Sequence, residues 1–106
     1  MTGSQVVNNG SLQTAAAEPN ISRNGEPIKF VVKLGQPAKV TLTIFSLVGE
    51  VVYQESLEGA SGANNLLWNL DNQAQESIAS GLYLYLVQVN DGTSNVNATG
   101  KVVVIR

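Results

Sequence analysis

Apolar and polar residues alternate one by one in several separate stretches of this 106-residue chain. Between residues 28 and 34, every second position is Ile, Phe, Val or Leu, and two of the intervening positions are Lys. Successive side chains of a β-strand point to opposite faces, so this period of two indicates a strand with one buried face. Such stretches recur at spacings of roughly 8–12 residues with turn-forming residues between them, and none has a helical period. We therefore predict an all-β fold, an antiparallel β-sandwich of about seven strands.

Glycine and aspartate mark the predicted reversals. Gly49 supplies a positive φ for a tight turn, and Asp91-Gly92 is a hairpin signal. Asp71 lies in a polar crossing over residues 69–80, after which Gly81 leads into the next strand. The predicted core is the inward-facing apolar set: Phe30, Val32, Val40, Leu42, Ile44, Trp68, Tyr83, Tyr85, Val87, Val102 and Val104.

The stretch 82–90 is apolar at almost every position rather than at every second one. A strand of this kind is typical of a central position with cover on both faces. We expect the face with Tyr83 and Tyr85 to point into the main core. The opposite face, with Leu82, Leu84 and Leu86, then needs a second cover, either the N-terminal segment or another protein.

Residues 1–19 differ in composition from the rest, being rich in Ser, Gln, Asn, Gly and Ala before Pro19. This composition favours a linker, and the alternative is an extra edge strand that pairs with this sheet or with a neighbouring molecule's sheet. We therefore divide the chain into residues 1–19, an N-terminal linker or edge strand, and residues 20–106, the β-sandwich domain.

Composition excludes several kinds of chemistry. The chain has no His and no Cys, so imidazole bases, thiol nucleophiles and thiolate metal sites are absent. The formal net charge is −2, which argues against a nucleic-acid surface. No apolar run is long enough for a membrane span, and no signal peptide is recognisable, so any export signal is expected outside this sequence. We expect neither an enzyme nor a cofactor.

Two local patterns invite a binding interpretation. Trp68, Tyr83 and Tyr85 could form an aromatic platform for sugars, but their place in alternating stretches favours the core. The oxygen-bearing side chains of residues 69–76 are vaguely similar to a calcium loop. Ala74 stands where that loop needs Gly, and Ser80 stands where it needs a bidentate Glu, so a hydrogen-bonded turn is favoured.

Four segments from about Pro19 to Arg106 follow the order of a known family. They are Asn24-Gly25-Glu26-Pro27 before a strand, Val40-Thr41-Leu42-Thr43-Ile44-Phe45, Trp68-Asn69-Leu70, and Ile78-Ala79-Ser80-Gly81-Leu82-Tyr83. The chain thereby resembles the Ig-like domain family named after the flagellar hook-capping protein. It resembles more loosely the C-terminal sorting domains of the type IX secretion pathway. It departs from the first family at Asn69-Leu70, where Asp-Gly is common, and at Phe45, where Tyr is usual.

The resemblance implies an Ig-like or fibronectin III-like sandwich that acts as a non-catalytic C-terminal module of a larger bacterial exported or surface protein. Its role would be that of a spacer, an assembly contact or an attachment and sorting element. Its expected partners are proteins: the parent chain, neighbouring subunits or a component of the cell surface. Nucleic acid, membrane insertion and a small-molecule ligand are not expected. Two alternatives stay open, a self-assembling subunit that uses the N-terminal segment for strand addition, and a carbohydrate-binding module.

Overall fold

The computed structural model describes residues 4–6, 12–18 and 20–106, and every regular element in these ranges is a β-strand. In chain order the strands are β1 (Ser4–Val6), β2 (Leu12–Glu18), β3 (Ile21–Arg23), β4 (Ile28–Leu34), β5 (Ala38–Phe45), β6 (Val51–Gly59), β7 (Gly62–Trp68), β8 (Gly81–Asn90) and β9 (Asn95–Ile105). The predicted all-β fold is confirmed, with more strands than expected.

The strands form two sheets that pack face to face. Sheet A has the order β1-β2-β4-β7, and sheet B has the order β3-β9-β8-β5-β6. All pairs are antiparallel except β3 with β9. Strand β8 lies in the middle of sheet B, in agreement with its two apolar faces.

One apolar core fills the space between the sheets. Its side chains come from alternate positions of the strands, because only one face of each sheet points inward. Buried there are Phe30, Val32, Val40, Leu42, Ile44, Trp68, Tyr83, Tyr85, Val87, Val102 and Val104, together with Ile28, Leu34, Leu66, Leu70, Ile78, Val89, Val96, Ala15, Ala38 and Ala98.

The N-terminal segment contributes a strand where its composition favoured a linker. Strand β2 pairs along β4, and its Ala15 side chain is buried in the core. Without β2, the backbone of β4 would present an open edge, and the small Ala side chains let β2 pack closely there. The hydroxyl of Tyr85 is hydrogen-bonded to the backbone of Ala17, and burial raises the pKa of this Tyr. Strand β1 pairs with β2, and residues 1–3, 7–11 and 19 lie outside the described residues.

The position of β2 corrects one expectation. Strands β1 and β2 belong to sheet A, whereas Leu82, Leu84 and Leu86 lie on the outer face of β8 in sheet B. The described part of the N-terminal segment therefore does not cover these leucines.

Hydrogen bonds from the neighbouring Trp68 and from the distant Arg106 close the crossing between β7 and β8. The indole N–H of Trp68 donates to the carbonyl of Asp71 (2.8 Å), and Asp71 forms an isolated β-bridge with Ser77. The Arg106 side chain donates from Nη2 to the Leu70 carbonyl (2.9 Å) and from Nε to the Ile78 carbonyl (2.6 Å). Arg106 thus joins both ends of the crossing to the end of β9.

Leu70 occupies a backbone conformation that usually selects glycine. Its φ is 61°, and its side chain is fully buried. A left-handed conformation costs a non-Gly residue roughly 1–2 kcal/mol, which is comparable to the roughly 1.5–3 kcal/mol gained by burying a Leu side chain. Leu70 therefore has a left-handed backbone at the position where the Ig-like family that the chain resembles often has Gly.

The β8–β9 hairpin turns through Asp91–Ser94, and β9 begins at Asn95, earlier than the predicted start at residue 101. One carboxylate oxygen of Asp91 accepts hydrogen bonds from the backbone N–H groups of Thr93 and Ser94, both at 2.9 Å. These bonds favour the ionised form and lower the pKa of Asp91 from 3.8 to about 2. Gly92 has a positive φ in the same loop.

Asp91→Asn is expected to change the acid side of the stability profile. Because the pKa of Asp91 is depressed on folding, its stabilisation is complete above about pH 4 and is lost as the pH falls towards about 2. The Asn side chain keeps an acceptor oxygen but does not titrate. The difference in unfolding free energy between the wild type and the variant should therefore shrink through this window. Urea denaturation of both proteins at several pH values measures this difference in unfolding free energy. A difference that does not change with pH would contradict the lowered pKa of Asp91.

Candidate interaction surface

The aromatic side chains that could have formed a sugar platform lie inside the sandwich. Trp68 is 0% exposed, and its ring stands edge-on to that of Tyr83 at 5.9 Å between centroids. Tyr85 packs edge-on against Phe30 at 5.0 Å, and the Tyr83 hydroxyl donates to the Ala79 carbonyl (2.7 Å). These rings stabilise the core, and their faces are not available for stacking on a ligand.

The polar crossing is a hydrogen-bonded turn. The side-chain oxygen of Asn72 accepts from the backbone N–H groups of Ala74 and Glu76, both at 2.9 Å. Within the described ranges, no group of three or more acidic side chains is arranged to hold a metal ion. The same ranges contain no helix long and apolar enough to cross a membrane.

Gln73, another residue of the crossing, shields the free edge of β6. Its backbone N–H donates to the Val52 carbonyl (3.1 Å), and its side-chain oxygen accepts from the Gln54 N–H (2.7 Å). One residue thus satisfies a carbonyl and an N–H that an added strand would otherwise use. This part of the edge is closed to strand addition, and no feature of the sequence had indicated this role for Gln73.

An apolar surface crosses the outer face of sheet B near the start of β8. The strand register aligns its members across the sheet, since Ile21 and Leu82 both pair with Val103, and Phe45 pairs with both Leu84 and Val51. We call this surface the apolar band: Ile21, Phe45, Val51, Leu82, Leu84 and Val103. It draws residues from all five strands of the sheet.

The apolar band is only partly covered by the rest of the protein. Leu84 is 37% exposed and Val51 is 57% exposed. Towards the other end of sheet B the outer face becomes polar, with cross-strand rows such as Lys39 paired with Asn90 and Glu58. An exposed apolar surface bounded by polar residues is typical of a protein interaction site.

The turn between β5 and β6 extends this surface. The Gly49 N–H donates to the Ser46 carbonyl (3.0 Å), and the Ser46 N–H donates to the Glu50 carbonyl (2.9 Å), which gives a three-residue loop. Gly49 has a φ of 87°, as the predicted positive φ requires. Leu47 and Val48 precede it and are 63% and 80% exposed. We call residues 47–49 the apolar tip.

A shallow depression of about 450 Å³ lies beside the band and shares Phe45 and Leu84 with it. It is lined mainly by apolar side chains, with one cationic residue: Phe45, Leu84, Tyr85, Leu86, Thr99, Gly100 and Lys101. No carboxylate within the described part of the chain forms an ion pair with Lys101. The outer face thus combines an apolar floor with a positive charge that no described carboxylate neutralises.

Taken together, the two sheets, their order and the buried core define an Ig-like antiparallel β-sandwich. No family model matches the sequence, and no curated protein matches it. Solved structures do share the fold. A structure of dimeric latent PorU from Porphyromonas gingivalis matches with a TM-score of 0.76 and 21% identity, over 94% of this chain and 10% of that one.

Two further structures extend the comparison. FlgD from P. aeruginosa matches with a TM-score of 0.65 and 15% identity, over 96% of this chain and 69% of that one. PorZ, an essential surface component of the type IX secretion system of P. gingivalis, matches with a TM-score of 0.55 and 25% identity, over 87% and 11%. The chain therefore spans about a tenth of the length of PorU and PorZ. Structural neighbours thus include FlgD, part of PorU and part of a surface component of a type IX secretion system.

Proposed function

We propose that this chain is a non-catalytic interaction module, an Ig-like domain of a larger bacterial protein that is exported or displayed at the cell surface. The apolar band is the observation that carries the proposal, because folding of the sandwich does not require apolar side chains on an outer face. The absence of His and Cys from the sequence removes the commonest catalytic groups and supports a binding role.

The structural neighbours support the cellular setting. PorZ is a surface component of a secretion system, and the matching region is a small part of the PorZ and PorU chains. By analogy, this sandwich would be one domain of a larger protein. It would bind either another part of that protein or a component of the cell surface. The contact would use the outer face of sheet B.

Antibody labelling of intact cells of the source bacterium tests this function. The wild-type protein is expected to be labelled without permeabilisation. A Phe45→Ser, Leu84→Ser variant should fold but be released into the medium, because its apolar contact is weakened. Leu67→Ser is the matched control, since Leu67 is 54% exposed but lies in sheet A. Labelling only after permeabilisation, or equal retention of all variants, would contradict the proposal.

A further inference from the structure

The apolar tip has a composition that its turn does not require. The central positions of tight turns favour small polar residues and glycine, which satisfy the local backbone or accept its dihedral angles. Here those positions hold Leu47 and Val48, whose side chains point into solvent. Only Gly49 follows the usual preference. The two apolar side chains add nothing to the core, so they are available for contact with another molecule.

The depression beside the tip is of a size and character to receive such side chains. Its volume of about 450 Å³ falls within the range of roughly 300–1,000 Å³ that binding pockets occupy. Phe45, Leu84 and Leu86 supply an apolar floor, and such floors commonly take up one or two apolar anchors of a partner. Only Ser46 separates the tip from Phe45, which lines the depression, and no residue of the tip lines it, so the tip lies at one border of the depression.

The charges at the two features are of opposite sign. Glu50 follows the apolar tip in the chain, whereas Lys101 lines the depression. Both side chains are exposed, and neither has an ion-pair partner among the described residues. The tip therefore presents apolar side chains beside a negative charge, and the depression presents an apolar floor beside a positive charge. This complementarity fits a second copy of the same chain.

We propose that two copies of this protein associate through the outer faces of their B sheets, each placing its apolar tip in the depression of the other. Because tip and depression are neighbours on one molecule, a single two-fold axis makes both contacts at once and closes the assembly as a dimer. Glu50 of one copy then lies near Lys101 of the other. This inference rests on the proposed function of the outer face and goes beyond it by naming the molecule that binds there, a second copy of the chain.

Sedimentation of the full chain over a range of concentrations is the first test. The wild type is expected to show a monomer–dimer equilibrium, and Val48→Asp should weaken the association at least about tenfold without lowering the thermal midpoint. Leu67→Asp is the control, and it should leave the association unchanged. A wild type that stays monomeric at millimolar concentration would overturn the dimer. It would leave the proposed function standing if the cell-labelling variants still behave as expected.

Charge reversal tests the pairing between the copies. Lys101→Glu and Glu50→Lys should each weaken dimerisation, because each places like charges opposite one another. The double variant restores opposite charges and should dimerise more tightly than either single variant. A double variant that is as weak as the singles, or weaker, would contradict the pairing.

Disulfide trapping tests the geometry directly, since the natural sequence has no cysteine. A mixture of Val48→Cys and Leu84→Cys proteins should form a mixed disulfide dimer under mild oxidation. A mixture of Val48→Cys and Leu67→Cys is the control and should form far less. Equal yields from the two mixtures would show that the tip does not lie in the depression.

Discussion

Trp68→Ala is expected to lower the free energy of unfolding by about 3–5 kcal/mol. The Trp68 side chain is fully buried between the two sheets and contacts the ring of Tyr83, so its removal leaves a large cavity. The variant also loses the hydrogen bond from the indole N–H to the Asp71 carbonyl. Because domains of this kind are stable by only about 5–15 kcal/mol, the loss removes a large share of the total.

Urea denaturation measures this loss, followed by circular dichroism because Trp68 is the only tryptophan. Trp68→Phe keeps part of the ring and should lie between the wild type and the Ala variant, which preserves the test if Trp68→Ala does not fold. Leu67→Ala, on the adjacent outward position, is the control and should change stability by about 0.5 kcal/mol or less. Equal effects at the two positions would mean that Trp68 is not in the core.

Gly100→Ala is expected to destabilise the protein by about 1–3 kcal/mol, because the methyl group has no room. Gly100 lies opposite Tyr85 in the β8–β9 pair, and a Cβ added there would stand 2.5 Å from the Tyr85 ring. The ring cannot move away freely. It packs against Phe30, and the hydroxyl is hydrogen-bonded to the backbone of Ala17.

A double-mutant cycle separates this clash from a general strand effect. Tyr85→Leu alone should destabilise the protein, because it loses aromatic packing and the hydrogen bond to Ala17. In the Tyr85→Leu background, the Gly100→Ala methyl group fills vacated space, so the combined loss should be smaller than the sum by about 1 kcal/mol or more. Losses that simply add would show that the two side chains do not compete for the same volume.

The alternation of apolar residues was sufficient to predict the strands whose inward positions are large. Strands β4, β5 and β8 have Val, Leu, Ile or aromatic residues on one face, and their facing follows from the period of two. The first half of β9 was missed because its inward positions include Ala98 and Gly100, which give a weak signal. The sequence left residues 1–19 open between a linker and an extra edge strand for the same reason, since the inward residue of β2 is Ala15.

The interaction surface could be predicted only in part. The leucines of β8 indicated an outer apolar face, but Ile21, Phe45 and Val51 join it through strand register, which no local pattern encodes. The hydrogen bonds of Gln73 and Arg106 likewise connect residues that are distant in sequence. The left-handed conformation of Leu70 had no signal in its residue type, because the burial that offsets its strain is a property of the folded state.

The bonds of Arg106 have a consequence for the order of events during synthesis. The Arg106 side chain donates to the Leu70 and Ile78 carbonyls of the crossing after β7, so these two bonds form only after residue 106 has left the ribosome. At about 5–20 residues per second, roughly 36 residues of delay between Leu70 and Arg106 correspond to a few seconds. In the later part of this interval β8 is complete and β9 is not, so the β8 edge that will pair with β9 is open next to the aromatic core. A chaperone that binds extended apolar segments would therefore find its target in this short window, before β9 pairs with β8.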